Sequence, residues 1–517
     1  MSRDIKAYRY DTQKSRVYTG TAAEDVFRLP ENAKGYRAYI DALYDAASTL
    51  SPAAAVEGAD TVAAAMRRDV IEAPDTICAT GKTYYISNHG DDNNDGLSPE
   101  TAWATADKLC AMSDQLKEGD AVLFERGGEW RKHNEWEVMG ALENMFQVPL
   151  WLFPAVKGVS YGAYGSGPKP ILNGSAHNYA DSTLWEKTEY ADVYRCTEPF
   201  WNVGIVALDH SGKLGKYDEM LAVKEMVDHR HFKGVSDLRF DCSYYLDVDT
   251  KALYFCSHKG NPGERFRSIE IGGRFELIRN RSAALIDNFH FRFGGYGICG
   301  GPYANVKNCI FSYLGGCQLQ AETGKFVVCG NALEIYGDCD GMYMENCWMY
   351  QICDTGFTHQ QWQEKGKCIQ KNIACLGNVM EYCYWSVEFN NPASIDGTER
   401  YMENYTHAYN LLRMGGYGFG GVNMDRSENG TLYNCFGTGK TINGVCEKNI
   451  LNRSAGPLYR MRLEGDHAIQ YRDNINIQDE GKKLAFIYDG DYPYDETAEE
   501  RMDTSTIHSG GLYIYLE

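Results

Sequence analysis

An all-β solenoid, a parallel β-helix, is the fold class this sequence predicts. Three observations predict it: one short motif that recurs, β-type runs that follow its copies, and almost no helical period across the same region. The motif is a hydrophobic or aromatic residue, one or two residues, an Asn, then Cys or another apolar residue. Its eight copies centre on Asn288, Asn308, Asn346, Asn378, Asn404, Asn434, Asn449 and Asn474. The Asn positions recur every 15 to 38 residues or so, all but the shortest interval inside the range of roughly 20–50 that marks solenoids and related arrays. The irregular spacing disfavours a propeller or a leucine-rich array and favours regular rungs joined by loops of unequal length.

Runs such as Cys309-Ile310-Phe311-Ser312-Tyr313, punctuated by Gly, read as short strands. One coil of strands cannot bury its own apolar face, whereas stacked coils can, with Leu, Ile, Val, Phe and Cys pointing inward. An Asn at one turn of each rung can then bond its equivalents above and below.

The elements follow in order. Residues 1 to 78 hold a helix-like run from Tyr36 to Tyr44 and an Ala-rich stretch from Pro52 to Met66, which predict a short helical N-terminal appendage. The β-helix is expected over 79–480. Within it, Thr101 to Leu116 predicts an amphipathic helix with Trp103, Ala106, Leu109 and Met112 on one face, plugging the open end of the solenoid and hiding its sheet edge. Residues 181–268 break the rung pattern. There Trp185, Tyr194, Phe200, Trp201, Tyr244, Tyr245 and Phe255 alternate with Asp-rich turns, predicting a β-rich insertion that walls a cleft. The acidic tail 481–517 is expected to close the far end as a C-terminal cap.

A family resemblance rests on Thr83-Tyr84-Tyr85-Ile86-Ser87, Gly90 to Pro99, Thr101-Ala102-Trp103, Gly119 to Phe124 and Gly127-Gly128. This segment resembles the opening of right-handed parallel β-helix proteins of the pectate-lyase-like superfamily, and the likeness continues through Tyr161 to Gly167 and the later rungs. It implies a right-handed, single-stranded parallel β-helix and a carbohydrate-active protein. The superfamily contains polysaccharide lyases, glycoside hydrolases, epimerases and phage adhesins, so the reaction has to be argued from the site.

Composition narrows the partners. A net charge of −20 and a pI near 5.1 disfavour nucleic acid, an anionic membrane and a highly anionic polymer, and favour a neutral glycan. The 37 Tyr and 9 Trp exceed what a narrow β-helix core requires, and aromatic faces are what sugar rings stack on, although covering a rung is the commoner role of any one of them. The 17 Cys are odd in number and sit mostly at rung positions, as small core residues, which points to a reducing, cytoplasmic setting; no zinc framework is visible. No apolar leader opens the sequence and no run is long enough to span a membrane. Oligomeric state is open.

Strand alternation locates candidate site residues. In Leu333-Glu334-Ile335-Tyr336 the aliphatic residues should face in, turning Glu334 and Tyr336 out. In Ser386-Val387-Glu388-Phe389 the same logic turns Glu388 and Asn390 out. Gly356-Phe357-Thr358-His359-Gln360 exposes Thr358 and Gln360 and sends His359 inward, Cys317-Gln318-Leu319 exposes Gln318, and Leu412-Arg413-Met414 exposes Arg413. Registered together, Gln318, Glu334, Thr358, Glu388 and Arg413 form one polar ladder. Two carboxylates separated by one rung stand about 9–10 Å apart at their backbones, which suits the ~6.5–9.5 Å of an inverting glycosidase better than the ~5–5.5 Å of a retaining one. Glu334 and Glu388 are therefore the expected acid and base.

Asp354, with His359, is a further catalytic or sugar-binding candidate, and Asp425 and Glu428 are reserves on a loop that lines the same cleft. Asp338 and Asp340 flank a Gly turn and read as turn formers. The run Asp91-Asp92-Asn93-Asn94-Asp95-Gly96 also reads as a turn, with calcium as its alternative reading, since it lacks the later bidentate Glu of an EF-hand loop. No cofactor or resident metal is otherwise expected. Three function classes remain. A glycoside hydrolase fits the paired carboxylates; a lyase on uronate-containing glycan requires a cationic or His base, for which the ladder offers only Arg413; a non-catalytic carbohydrate-binding β-helix requires neither.

Overall fold

The strand Thr83–Ile86 opens the first of three sheets, and from Ala121 onward each circuit of the chain lays one strand on each sheet, pairing in parallel with its equivalent one coil later. The structure, a computed structural model, describes residues 26–132, 148–209, 220–221, 223–224, 234–247, 249–273, 275–279, 284–299, 305–319, 327–361, 367–391, 399–422, 426–436, 439–461, 469–487, 490–493 and 508–516. Sheet I runs from Thr83–Ile86 to His508–Ser509, sheet II from Glu129–Arg131 to Leu512–Leu516, and sheet III from Val148–Leu152 to Lys483–Ile487, to which Gly490–Pro493 adds antiparallel. This is the all-β, parallel β-helix architecture that the motif and the resemblance predict.

The turn from sheet I to sheet II explains the recurring Asn. A sharp corner there requires one residue in the left-handed region, held by Asn288, Asn308 and Asn346, then by Gly377, Tyr409, Lys448 and Asp473, with φ between 51° and 64°. Asn and Gly adopt that conformation at least cost. The residue after the corner points inward. In the first three coils it is Phe289, Cys309 and Cys347; in the next four it is Asn378, Asn410, Asn449 and Asn474, all buried.

These four form the inner ladder. Asn378 Nδ2 donates to Asn410 Oδ1 at 2.9 Å, Asn410 to Asn449 at 3.0 Å and Asn449 to Asn474 at 3.0 Å. Each oxygen also accepts a backbone N–H of the preceding rung, as in Asn378 N to Asn410 Oδ1 at 3.0 Å. Two motif copies belong elsewhere. Asn404 sits on sheet I in an exposed ladder with Asn372 and Asn443, and Asn434 lies on sheet III. Asn410, outside the motif as read, takes the inner position instead.

Asn410→Ala is accordingly expected to destabilise the coil stack by about 2–4 kcal/mol, because each buried donor or acceptor left unpaired costs about 1–3 kcal/mol. The check is the midpoint of urea unfolding against Asn443→Ala, whose exposed ladder bond should matter little.

The lumen is aromatic and dry. Phe291 stacks on Phe311 at 5.0 Å between centroids, and further along Phe389, Tyr405, Tyr433, Tyr459 and Tyr471 continue the column. His359 belongs to this column, stacked on Phe389 at 5.5 Å with no exposure. It therefore does not line an outer cleft.

The ends and flanks differ from expectation in instructive ways. Trp103, Ala106, Leu109, Met112 and Leu116 are buried against the first coils. The helix itself is only Ala106–Cys110, because Asp92 ties down the backbone N–H groups of Ala104 and Thr105 and the Thr105 hydroxyl caps at Lys108 N. Helix Pro52–Ile71 lies on the outer face of sheet II, where small residues Ala55, Ala59 and Ala63 admit Trp348, Val379 and Leu411, and helix Gly35–Ala47 runs along the corners between sheets I and II, with Tyr36 against Glu345 and Tyr409 and Tyr44 against Asp473.

The insertion is two sheets, one antiparallel and one mixed, enclosing Trp185, Val206, Leu208, Phe255 and Ile271. It extends to Ile269–Gly273, beyond the expected limit at 268, and joins sheet II to sheet III between Ile171–Asn173 and Phe275–Arg279. Among the described residues after 480, Lys483–Ile487, His508–Ser509 and Leu512–Leu516 add one strand to each sheet. No cysteine whose side chain is described forms a disulfide, and nearly all are buried. Among the described residues no helix is long and apolar enough to cross a membrane.

Candidate active site on sheet III

Sheet III carries the carboxylates because its strands combine strict alternation with long connections. Leu333, Ile335, Phe357, Val387, Phe389, Tyr433 and Cys435 fill the core, so the residues between them face outward. Strand pairing sets Cys299 opposite Glu334, Glu334 opposite Thr358, Thr358 opposite Glu388, Glu388 opposite Asn434, Asn434 opposite Arg460 and Arg460 opposite Phe486. A second column beside it holds Tyr336, Gln360 and Asn390. Glu334 and Glu388 thus stand two strand spacings apart, about 9–10 Å at the backbone.

The two carboxyl groups occupy different environments. Glu334, 1 % exposed, accepts a hydrogen bond from Cys299 Sγ at 2.8 Å and another from Asn331 Nδ2. The Tyr336 hydroxyl also bonds it; burial first, then the charge of Glu334, keeps that phenol protonated well above the ordinary tyrosine range. Glu388, 5 % exposed, accepts from the Thr355 hydroxyl at 2.9 Å and from Gln360 Nε2 at 3.2 Å. Gln360 in turn donates to the Thr358 hydroxyl at 2.8 Å.

Burial, reinforced by the neighbouring charge of Asp354, pushes the Glu388 carboxyl up to about 8; the hydroxyls of Thr355 and Thr358 pull the other way and lose. Burial also raises Asp354, against the pull of Arg426, whose guanidinium lies 3.8 Å away. The result is a carboxyl raised into the neutral range two strands from a second buried carboxyl.

The connection after Gly415 forms a wall beside Asp354 and Glu388. Arg426 donates to Cys353 O at 2.6 Å and Gly420 O at 2.7 Å, and its guanidinium lies 3.7 Å from the centre of the Tyr384 ring. Trp385 stacks on Tyr384 at 4.9 Å and bonds Asn429 O. Tyr336 and Trp385 are both partly exposed: Tyr336 bonds Glu334, and Trp385 opens the strand Trp385–Asn390 that carries Glu388.

Several expected members fall outside this site. Gln318 belongs to a two-stranded antiparallel hairpin, Cys317–Leu319 with Val327–Cys329, so the position next to Glu334 is taken by Cys299; the Gln318 side chain lies outside the described residues. Arg413 is on sheet II, where it pairs with Asp60 at 2.5 Å and Glu381 at 3.0 Å under the N-terminal helices. His359 is in the lumen, where burial lowers its imidazole to about 3 and keeps it neutral. Asp425 lies outside the described residues, and Glu428 is exposed on Ser427–Asn429.

Asp338 accepts Ile369 N at 2.7 Å just before the sheet I strand Cys339–Glu345, whereas Asp340 lies within that strand, not on a turn, and pairs with Lys371 of the next coil at 3.2 Å. In the Asp91–Gly96 run the carboxylates accept turn hydrogen bonds from Asn93, Leu97, Ala104 and Thr105. Among the described residues no group of three or more His, Cys, Asp or Glu is placed to hold a metal ion.

Sequence reasoning missed Cys299, Asn331, Thr355, Tyr384, Trp385, Asn434 and Arg460. The outward parity of Asn434, between Tyr433 and Cys435, was available, but its membership of the Asn motif concealed it.

No family model matches the chain. A lacto-N-biosidase of Bifidobacterium longum subsp. longum is 29 % identical over 121 residues, which is 23 % of this chain and 7 % of that protein. The chain thus spans a small fraction of the curated relative it matches. Among solved structures, the GH136 lacto-N-biosidase from Eubacterium ramulus is similar over 90 % of this chain and 70 % of its own, at 11 % identity and a TM-score of 0.36. The complex of XylC with xylose covers 78 % and 69 % at 11 % identity and 0.41, and a rhamnogalacturonan lyase covers 78 % and 84 % at 14 % identity and 0.34. Strand pairing, not these likenesses, defines the architecture.

Proposed function

We propose that this β-helix is a glycoside hydrolase that cleaves glycosidic bonds of oligosaccharides with inversion, with Glu388 as general acid and Glu334 as general base. The observation that carries the reading is one column in which a carboxyl raised to about 8 stands two strands from a second carboxyl, with Thr358 between. Glu388 gives its proton to the glycosidic oxygen as the bond to the anomeric carbon breaks. Glu334 takes a proton from a water that attacks that carbon from the opposite face, and the spacing leaves room for the water. Both carboxyl groups then exchange protons with solvent to reset. Tyr336 and Trp385 provide faces for sugar rings, and Gln360 and Asn390 provide donors and acceptors for hydroxyls. Asp354 sustains the protonated form of Glu388 through its charge.

The local sequence similarity to a named glycosidase agrees with this reading. The lyase alternative loses the cation the sequence offered it, since Arg413 is committed to Glu381 and Asp60 on another sheet, and keeps only Arg460 among the described residues of the carboxyl column in its place. The test is a panel of neutral aryl glycosides and uronate polymers. Hydrolysis of a neutral glycoside with an inverted first-formed anomer, followed by nuclear magnetic resonance, is the expected result. An unsaturated product absorbing in the ultraviolet rejects hydrolysis in favour of elimination.

A further inference from the structure

Asn434 is buried, yet neither its Oδ1 nor its Nδ2 has a hydrogen-bond partner among the described residues. A buried amide with both ends unsatisfied is unusual, because nearly all buried polar groups find a partner and each orphan calls for an explanation. Its place in the fold supplies one. It is outward on sheet III, directly opposite Glu388 and on the side away from Glu334. The next position is Arg460, whose Nε is likewise buried without a partner among the described residues and whose Nη2 donates to Asn429 Oδ1 at 3.3 Å. Beyond it stands Phe486, 40 % exposed, one of the few exposed large hydrophobic residues, with the Arg460 guanidinium 5.9 Å from its ring centre.

The order of the column decides what this stretch faces. In an inverting displacement the base, the water, the anomeric carbon and the leaving oxygen lie roughly in line, so the leaving group departs toward the acid. Along sheet III the order is Glu334, Thr358, Glu388, Asn434, Arg460, Phe486. We propose that Asn434 is a specificity-determining residue for the leaving-group sugar: its amide donates to one hydroxyl and accepts from another of the ring beyond Glu388, with Arg460 and Phe486 holding the ring after it.

The inference rests on the hydrolase reading above and adds the class of leaving group, a neutral hydroxylated sugar in place of a simple alcohol. Glu388 and Asn434 are neighbours with almost no exposure, so whatever admits a substrate to one admits it to the other. Adjacent strands are ~4.8 Å apart, close to the length of one sugar unit, so the orphan amide falls one ring past the acid.

The experiment compares Asn434→Ala and wild type on two substrates with the same glycone, an aryl glycoside and an oligosaccharide with a sugar leaving group. Losing a hydroxyl-reading amide should lower kcat/KM on the oligosaccharide at least tenfold more than on the aryl glycoside. Equal losses on both, or none on either, overturn the inference while leaving the hydrolase reading intact. A wild-type protein that hydrolyses neither substrate removes that reading, and the leaving-group role with it.

Asn434→Leu guards against a folding artefact. An amide with no partner in the free protein has no bond to lose, so this near-isosteric variant should melt at or above the wild-type temperature. A clear drop in Tm would show that the amide is bonded in the free protein, and would overturn the premise.

Discussion

Glu388→Gln and Glu334→Gln each lower kcat/KM on the best glycoside substrate by a factor on the order of 10²–10⁴, the size of a general acid or base contribution. Glutamine keeps the size of the side chain and its ability to accept from Thr355, Gln360, Cys299 or Asn331, so folding should survive in both variants. The two should differ in pH dependence. With Glu388 pushed up to about 8, the wild-type profile of kcat/KM falls on its alkaline side near that pH, as the acid loses its proton. Glu388→Gln should abolish that limb, whereas Glu334→Gln should keep it.

The same shift has a stability consequence. A carboxyl whose folded value lies above its ordinary 4.5 stabilises the fold fully below 4.5 and loses that contribution as pH rises through about 8. The Tm of wild type should therefore fall more between pH 5 and 9 than that of Glu388→Gln. Near-wild-type turnover in both glutamine variants rejects the pair and directs attention to Asp354, Asp425 and Glu428.

How much of this was legible before the structure depended on what alternation encodes. Leu333-Glu334-Ile335 and Val387-Glu388-Phe389 reveal which side chains face out, and because both strands lie on sheet III the outward residues meet. Leu412-Arg413-Met414 has the same pattern and the same outward Arg, yet it lies on sheet II. Period two distinguishes in from out but says nothing about which of three sheets a strand joins, since that is set by the number of corners between strands. Gln318 was misplaced for the same reason.

The Asn signal was legible as a repeat but blurred in position. The corner needs a left-handed residue, and the lumen behind it accepts either a thiol or an amide, so Asn appears at two adjacent offsets: Asn346 at the corner, Asn378 just after it. The protonation of Glu388 was not legible, because it arises from burial and from Asp354, a residue 34 positions earlier in sequence and on the preceding coil.

The displaced Arg413 leads to the largest expected stability change. Glu381 is outward on sheet II and wholly buried under helix Pro52–Ile71, where it accepts from Trp348 Nε1 at 2.9 Å and from Arg67 Nη1 at 2.9 Å, with Arg413 Nε 3.0 Å away. Burial alone would raise its carboxyl, but Arg67 and Arg413 outweigh it and hold it below the ordinary value. Removing one partner leaves a charge under-compensated in a dry interface, which costs about 3–5 kcal/mol when a buried pair is broken. Arg413→Leu is expected toward the lower end of that range, because Arg67 remains, and the loss should appear as an earlier urea midpoint.

Adding Glu381→Leu to Arg413→Leu should recover much of the loss. The double variant buries apolar side chains against Trp348, and Arg67, already partly exposed at 20 %, can turn to solvent. The sign with pH follows from the lowered carboxyl: its contribution is present above the ordinary carboxylate range and disappears as pH falls through the folded value. Acid should therefore shrink the gap between wild type and Arg413→Leu. A double variant no more stable than Arg413→Leu would mean that packing, not charge, is what Arg413 contributes. Glycosidase turnover in both variants, measured well below their melting temperatures, should match wild type, since this cluster and the carboxyl column lie on different sheets of the β-helix.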